Sequence, residues 1–312
     1  MSPIKITFGG YQGDNSVHTR GARKLCELLS SALGDRVDVE FRQNIVSQGH
    51  KASDLLSLTE SGELDGCYFS SSYLAGRVPE LALFDQHFAV ADRRHAYGVL
   101  DGSLGRRLSD EVAAKTGFVV LGYWDNGLRH ISSAQTEIRR PEDCDGLKLR
   151  TLASDDHQRV FKALGFDPMA IDVRDLPEAV ANFRVDAQEN PLTNIYNFDL
   201  HKTHRKITLT GHLLGVALVL FNRKTVESWP TEVREAVMSA VSEATRYQRQ
   251  LAEEDDGICT KALVADGVKL IELTAPERAE FAKATRAEVE KTRQRFSSEL
   301  IDLFENDLAQ VN

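Results

Sequence analysis

The chain has 312 residues, 42% of them hydrophobic and 27% charged, and its 38 basic against 47 acidic side chains leave a net charge of -9. This composition describes a globular protein large enough for one large or two medium domains, and it excludes a collagen, a coiled-coil rod, a disulfide-stapled mini-domain and a disordered tail. With a pI near 5.5 there is no broad cationic surface to cover phosphates, so nucleic acid is not expected as a partner.

Residues 4–10 (IKITFGG) alternate apolar and polar side chains and break at two glycines, which predicts a strand running into a loop at 11–15. Ser16 can cap a helix whose Val17, Ala22, Leu25, Leu28, Leu29 and Ala32 recur at helical spacing, and residues 36–41 (RVDVEF) alternate again, completing β-α-β. A helix over 52–61 and a short strand over 64–69 follow, with Ser70, Ser71, Ser72 and Tyr73 at its end. Strand ends of this kind are where open α/β sheets present groups to ligands. Residues 78–97 read as irregular, 95–104 as helical, and 118–123 (FVVLGY) as a buried strand ending at Trp124, Asp125, Asn126 and Gly127.

A second α/β run starts near Arg129. Residues 147–151 alternate as a strand, Ser154 can cap a helix closed by Gly165, a short helix spans 175–183 with Pro177 in its first turn, and 184–190 return as a strand stopped by Pro191. Residues 207–210 and 215–221 read as two strands, the second apolar on both faces. From Thr231 onward the pattern is helical, with Gly257 and Gly267 flanking a short helix. Thr274 and Glu277 form a capping box for one long terminal helix ending near Leu308. Two α/β runs with late strands and helices returning to brace them predict two lobes around a cleft, the chain crossing between them more than once.

No stretch is apolar for long enough to cross a bilayer, and the four cysteines show no CxxC spacing. The opening MSPIKITFGG lacks the apolar core of a secretory signal, so the expectation is either a cytoplasmic protein or one whose signal has been removed. No HExxH, GxSxG or GxxxxGK[ST] motif occurs, and Gly9, Gly10 and Gly13 miss the dinucleotide fingerprint because Tyr11 stands where a glycine is needed. The His201/His204 pair reads as a solvated turn rather than a metal site, since a third ligand is not evident. Neither metal nor cofactor is expected.

The informative residues are polar groups at strand ends. Arg150 in GLKLRT faces away from Leu147 and Leu149. On local pattern it is either an exposed, salt-bridging arginine or a fork of N–H donors matched to a carboxylate, a geometry lysine cannot supply. Arg129 is a second candidate cation. Asn190 could donate an amide N–H to the same oxygens or serve as a turn residue before Pro191.

These fragments together resemble the DctP-type solute-binding proteins of tripartite ATP-independent periplasmic (TRAP) transporters over almost the whole chain. The resemblance is carried by NGLRHISS from Asn126, RRPEDCDGLKLRT, FKALGFDPMAI, VDAQENPLTNIYNF and LTGH ending at His212, with support from LDGCYFSSSYLAGRVPEL and HAYGVLDGSLG. It implies that Arg150 makes a salt bridge to a ligand carboxylate, assisted by Arg129 and Asn190. First-lobe contacts are implied at Tyr11, Ser70 and Ser71, with Tyr73 nearby, and His212 joins the site from LTGH. The chain departs from the family pattern at Val173, where an aromatic often lies beside the ligand, at Asp175 for a Glu, at Phe183 for a small residue, and at His87 for the proline of the "lPF" motif.

The resemblance thus implies an α/β two-lobed periplasmic binding protein fold (type II-like) with an interlobe ligand cleft and long bracing helices. Lobe I is expected over 1–125 plus about 213–252, and lobe II over about 126–212 plus 253–312. The implied function is capture of a small organic acid and its delivery to the TRAP membrane permease subunits, by a periplasmic monomer whose signal peptide has been removed. The alternatives are an enzyme using His212 or Asp125, which no nucleophile-base spacing supports, and a cytoplasmic sensor.

Overall fold

The structure, a computed structural model, describes residues 2–90 and 92–310. The chain divides into two units, the first made of Met1–Ser70, Arg107–Asn126 and Val216–Asp255, the second of Ser71–Arg106, Gly127–Gly215 and Asp256–Asn312. The expected first lobe took in all of 1–125; residues 71–106 instead pack within the second unit. The cause is visible in their neighbours: the helix Arg93–Asp101 packs on the last helix of the chain, and the Leu104 N–H, in the first turn of the helix that follows, donates to Asp307 of that last helix.

In chain order, β1 (Ile4–Gly9), α1 (Val17–Leu33) and β2 (Val37–Arg42) form the expected β-α-β unit, β1 and β2 running parallel with Ile4 beside Val37. Parallel neighbours need a crossover, which α1 supplies. Ser16 caps it by accepting from the His18 N–H. Then come α2 (Asp54–Ser61), β3 (Gly66–Ser70), α3 (Arg93–Asp101), α4 (Ser103–Lys115), β4 (Phe118–Ser133), β5 (Lys148–Thr151), α5 (Asp155–Ala163), β6 (Asp167–Ala170), α6 (Leu176–Ala181), β7 (Ala187–Pro191) and α7 (Leu192–Asn197). The chain closes with β8 (Lys206–Asn222), α8 (Arg223–Ser228), α9 (Thr231–Ala265), β9 (Lys269–Ile271), α10 (Ala275–Arg293) and α11 (Ser298–Ala309).

In the first unit the strands lie in the order β2-β1-β3-β8-β4, and β8 runs antiparallel to β3 from Phe221 beside Gly66 to Ala217 beside Ser70. One face is covered by the stripe Ala22, Leu25, Leu29 and Leu33 of α1 together with Val233, Val237, Val241 and Ala244 of α9, packed with Phe8, Trp124 and Phe221. Full burial of each such large aliphatic side chain contributes about 1.5–3 kcal/mol. In the second unit the order is β4-β7-β5-β6, with β9 added to β8. Leu149, Ile131 and Ala187 point into a core with Phe161, Phe166 and Phe281, while Leu176, Val180, Ile195 and Leu263 form another.

Several boundaries differ from the sequence expectation. The strand expected to stop at Tyr123 continues to Ser133, and the two expected at 207–210 and 215–221 are one strand, β8. The polar stretch at Asp125 reads as a loop, yet its backbone N–H and C=O are buried and satisfied by the Gln248 side chain, so the extended chain persists. Helix α9 runs through Gly257, whose helix-interior cost of about 1 kcal/mol is outweighed by the buried stripe. The expected single terminal helix is two, because Ser297 caps a new one, α11. Ser154 sits at the N-cap of α5 without making a side-chain cap bond. His201 and His204 are buried rather than solvated, His201 stacked on Tyr196 and His204 Nδ1 lying 3.1 Å from Ser132 Oγ. The Thr274–Glu277 capping box is present.

Candidate functional site

Strand β5 is short and lies between β6 and β7, with Arg150 beside Met169 on one side and Gln188 on the other. Alternation along a strand sends Leu149 into the core and Arg150 to the opposite face. The Arg150 side chain is nonetheless buried, at 1% exposure. Its Nε donates to the carbonyl of Ile171 at 2.9 Å, and this is its only hydrogen bond or ion pair among the described residues. A guanidinium taken out of water without a carboxylate partner carries a desolvation cost of several kcal/mol. The two terminal nitrogens are the edge of the fork that grips a carboxylate bidentately.

Arg129 is built differently. Gly127, two residues earlier in β4, has φ +83°, and a Cβ there would overlap the Pro191 ring, so glycine lets β4 pass close to the end of β7. Arg129 then stands beside Pro191, and its Nε and Nη2 grip the Glu189 carboxylate, the Nη2–Oε1 bond being 2.8 Å. Nη2 also donates to the Glu189 carbonyl at 2.8 Å and to Asn190 Oδ1 at 3.4 Å. Thr151 Oγ1 donates to Glu189 Oε1 at 3.3 Å, and His212 Nε2 lies 3.4 Å from Oε2. Burial pushes the Glu189 carboxyl up, but Arg129 and His212 overcome it and hold the group well below the usual carboxylate range. Burial likewise works against the Arg129 charge, and Glu189 outweighs it. The pair is ionised and internally neutral. Arg129, the second candidate cation of the sequence, is therefore half of an ion pair with Glu189.

Of the other expected residues, Ser71, Tyr73, Val173, Asn190 and His212 belong to the same unit as these two. Burial raises the Tyr73 hydroxyl, and the charges acting on it are those of Arg150, Asp172, Arg129 and Glu189, so the side chain belongs to the same locality. Ser71, in the turn Ser71–Tyr73 after β3, is buried with its Oγ lacking a hydrogen-bond partner. Asn190 donates from Nδ2 to Gln188 Oε1 at 2.5 Å and accepts on Oδ1 from Arg129 and Asn194, which fixes its amide plane. His212 bonds Thr210 Oγ1 through Nδ1 at 2.7 Å and stacks on His87 at 5.4 Å with an interplanar angle of 8°. Val173 is half-buried in the turn before α6. Tyr11 and Ser70 belong to the first unit, Tyr11 packed on Tyr68 and Phe69, Ser70 closing β3.

Sequence reasoning overlooked Glu189, though it sits in the same QENP run as Asn190. It also assigned no role to Asp85 and His157, which lie buried beside His87 with Asp85 Oδ2 3.3 Å from His157 Nε2. Among the described residues no group of three His, Cys, Asp or Glu side chains could hold a metal ion, and no helix is long and apolar enough to cross a membrane.

Comparison with known proteins bears on this arrangement. The family model for bacterial extracellular solute-binding protein, family 7 (DctP), matches residues 8–295. A TRAP periplasmic solute-binding protein from Sulfurospirillum deleyianum, solved with bound succinate, is similar at 30% identity and a TM-score of 0.91, over 98% of this chain and 99% of that one. The sugar acid binding protein DctPAm from Advenella mimigardefordensis, solved with galactonate, is similar at 25% identity and a TM-score of 0.94, over the full length of both. An uncharacterized protein of Sinorhizobium fredii is 32% identical over 92% of this chain, which spans 52% of its length.

Proposed function

Because the chain belongs to the DctP family of bacterial extracellular solute-binding proteins, we propose that it is the solute-binding subunit of a TRAP transporter, capturing a small organic acid through an Arg150–carboxylate salt bridge and passing it to the membrane permease. The family and the similar structures are binding proteins of transporters and not enzymes. The observation that carries the reading is the buried Arg150, held in orientation by the Ile171 carbonyl and lacking an acidic partner among the described residues.

A carboxylate placed against the two terminal nitrogens would convert the desolvation cost of Arg150 into a charge-assisted bidentate pair. The Ser71 hydroxyl and the Tyr73 side chain supply further polar groups, and the rigid Asn190 amide, with the one remaining Nη1 of Arg129, completes the donor set. Val173 and His212 would shape the wall around the rest of the molecule. Tyr11 and Ser70 enter the proposal on the resemblance alone, as do periplasmic residence and the permease partner.

The test is titration calorimetry of the chain with succinate and with galactonate, followed by Arg150→Ala and Arg150→Lys. Loss of one partner from a buried charge pair costs about 2–5 kcal/mol, so Arg150→Ala should weaken the bound acid by that amount. Lysine should restore only part, because it keeps the charge and loses the fork. Wild-type affinity in Arg150→Ala would sink the proposal.

A further inference from the structure

A buried chain of hydrogen bonds runs from Arg129 through side chains that the proposed function leaves without a role. Asn190 Oδ1 faces Arg129 Nη2 at 3.4 Å and Asn194 Nδ2 at 3.3 Å, and Asn190 Nδ2 lies 2.5 Å from Gln188 Oε1. Gln188 Nε2 lies 2.6 Å from Ser132 Oγ, which lies 3.1 Å from His204 Nδ1. All of these residues belong to the second unit, and Ser132, Gln188, Asn190 and His204 are all buried. The sheet builds the chain. Ser132 of β4 stands beside Gln188 of β7, and Gln188 and Asn190, two residues apart, share one face of the strand. Gln188 also stands beside Arg150 of β5, so the chain lies on the face that carries the anchor.

The direction of every bond follows from the chemistry of one end. A guanidinium has donors and no acceptor, so the Asn190 atom facing Arg129 is its oxygen. The amide nitrogen is then turned to Gln188, whose facing atom must accept and is also an oxygen. Gln188 in turn offers its nitrogen to Ser132, and Ser132 Oγ accepts. The one hydroxyl hydrogen of Ser132 is left for His204 Nδ1, which receives it on a lone pair. Burial holds the His204 imidazole down to about 4, so near neutrality the ring has a single proton, and that proton sits on Nε2.

The opposite polarity is disfavoured at both ends. With a proton on His204 Nδ1, Ser132 would accept from the ring and could donate to Gln188. The amides of Gln188 and Asn190 would then turn over, bringing Asn190 Nδ2 against Arg129 Nη2, donor against donor. Loss of the Ser132 hydroxyl acts at the same place: the Gln188 nitrogen is left buried without an acceptor, and the amide plane that receives Asn190 Nδ2 is no longer fixed.

From this chain we infer that Ser132, Gln188 and His204 are positioning residues, which fix the end of the Asn190 amide that donates and so set ligand affinity without touching the ligand. The inference rests on the proposed place of Asn190 in the donor set, and it adds roles for three residues outside that set.

The experiment is calorimetry of the intact chain with whichever of succinate and galactonate it binds more tightly, over a double-mutant cycle of Ser132→Ala and Asn190→Ala. Ser132→Ala alone should weaken binding about threefold to tenfold, and Ser132→Thr, which keeps the hydroxyl, should restore most of the loss. In the Asn190→Ala background the same change should cost less than about twofold, because the amide it orients is gone. Equal cost in both backgrounds, the mark of a general loosening of the fold, overturns the inference and leaves Asn190 in the donor set. Wild-type affinity in Asn190→Ala removes Asn190 from the site and the inference with it, while binding of neither acid overturns the proposed function as well. A second arm needs no ligand: nitrogen NMR of the chain with isotope-labelled histidine, the His204 signals assigned by their loss in His204→Asn. Near neutral pH the proton of His204 should be on Nε2 with Nδ1 bare; a proton on Nδ1 overturns the direction of the chain and the inference drawn from it.

Discussion

Two arginines in the same unit show how little a residue type says without its partners. Arg150 and Arg129 are both buried, at 1% exposure each, and both were legible in the sequence as cations near strand ends. The alternation in GLKLRT placed Arg150 opposite Leu149, a local fact that a period of two can carry. The pairing of Arg129 with Glu189 joins residues 60 apart in the chain through the register of β4 and β7, and no local pattern contains it. The same is true of the histidines. Burial depresses His18 and His204 to about 4 and His130 to about 3, the last also through nearby His212 and arginine charges. An unfolded histidine titrates near 6.5, so below that pH the unfolded chain binds protons that the folded chain refuses, and stability falls as pH falls from about 6.5 towards 4. The contribution is on the order of 3 kcal/mol per histidine when the window has been crossed. Glu189, held low by Arg129, loses its contribution only further down. Urea midpoints measured at about pH 7.5, 6 and 5 should decline in that order; a flat profile would mean that these imidazoles are not buried as neutral groups.

Elements were legible where hydrophobic period and cap chemistry agree. The β-α-β opening, the Ser16 cap and the Thr274–Glu277 box could be read because each is decided within a few residues. The lengths of β4 and β8 could not, because the polar residues that suggested loops are satisfied by distant side chains such as Gln248. The end of α6 offers a test at this scale. Its last turn closes as a Schellman motif, with Phe183 N–H on Val180 C=O and Arg184 N–H on Ala179 C=O. That motif places its C′ residue in the left-handed region, normally a glycine, and here Phe183 occupies it at φ +52° while 61% exposed. The ring buries little to offset the backbone cost. Phe183→Gly should raise stability by about 1 kcal/mol, the relief of left-handed strain exceeding the added freedom of the unfolded chain. A lower melting temperature in this variant would show that the exposed ring makes a contact the fold depends on.

At the scale of the molecule, the chain passes between its two units once at the end of β3 and four times inside regular elements, within α4, β4, β8 and α9. The two-unit division was readable from the doubling of α/β runs. The assignment of 71–106 was not, because contacts with the C-terminal helices decide it. The net charge of -9 also sharpens the functional argument, since an acidic protein that takes an anionic ligand must do so through a local cation rather than a general field. The most direct measurement is a crystal structure of the chain grown with a carboxylate it binds. The expected result places the two carboxylate oxygens at about 2.8 Å from the two terminal nitrogens of Arg150, with Arg129 still on Glu189. A bound acid seated elsewhere, or Arg150 closed onto a protein carboxylate, would contradict the account.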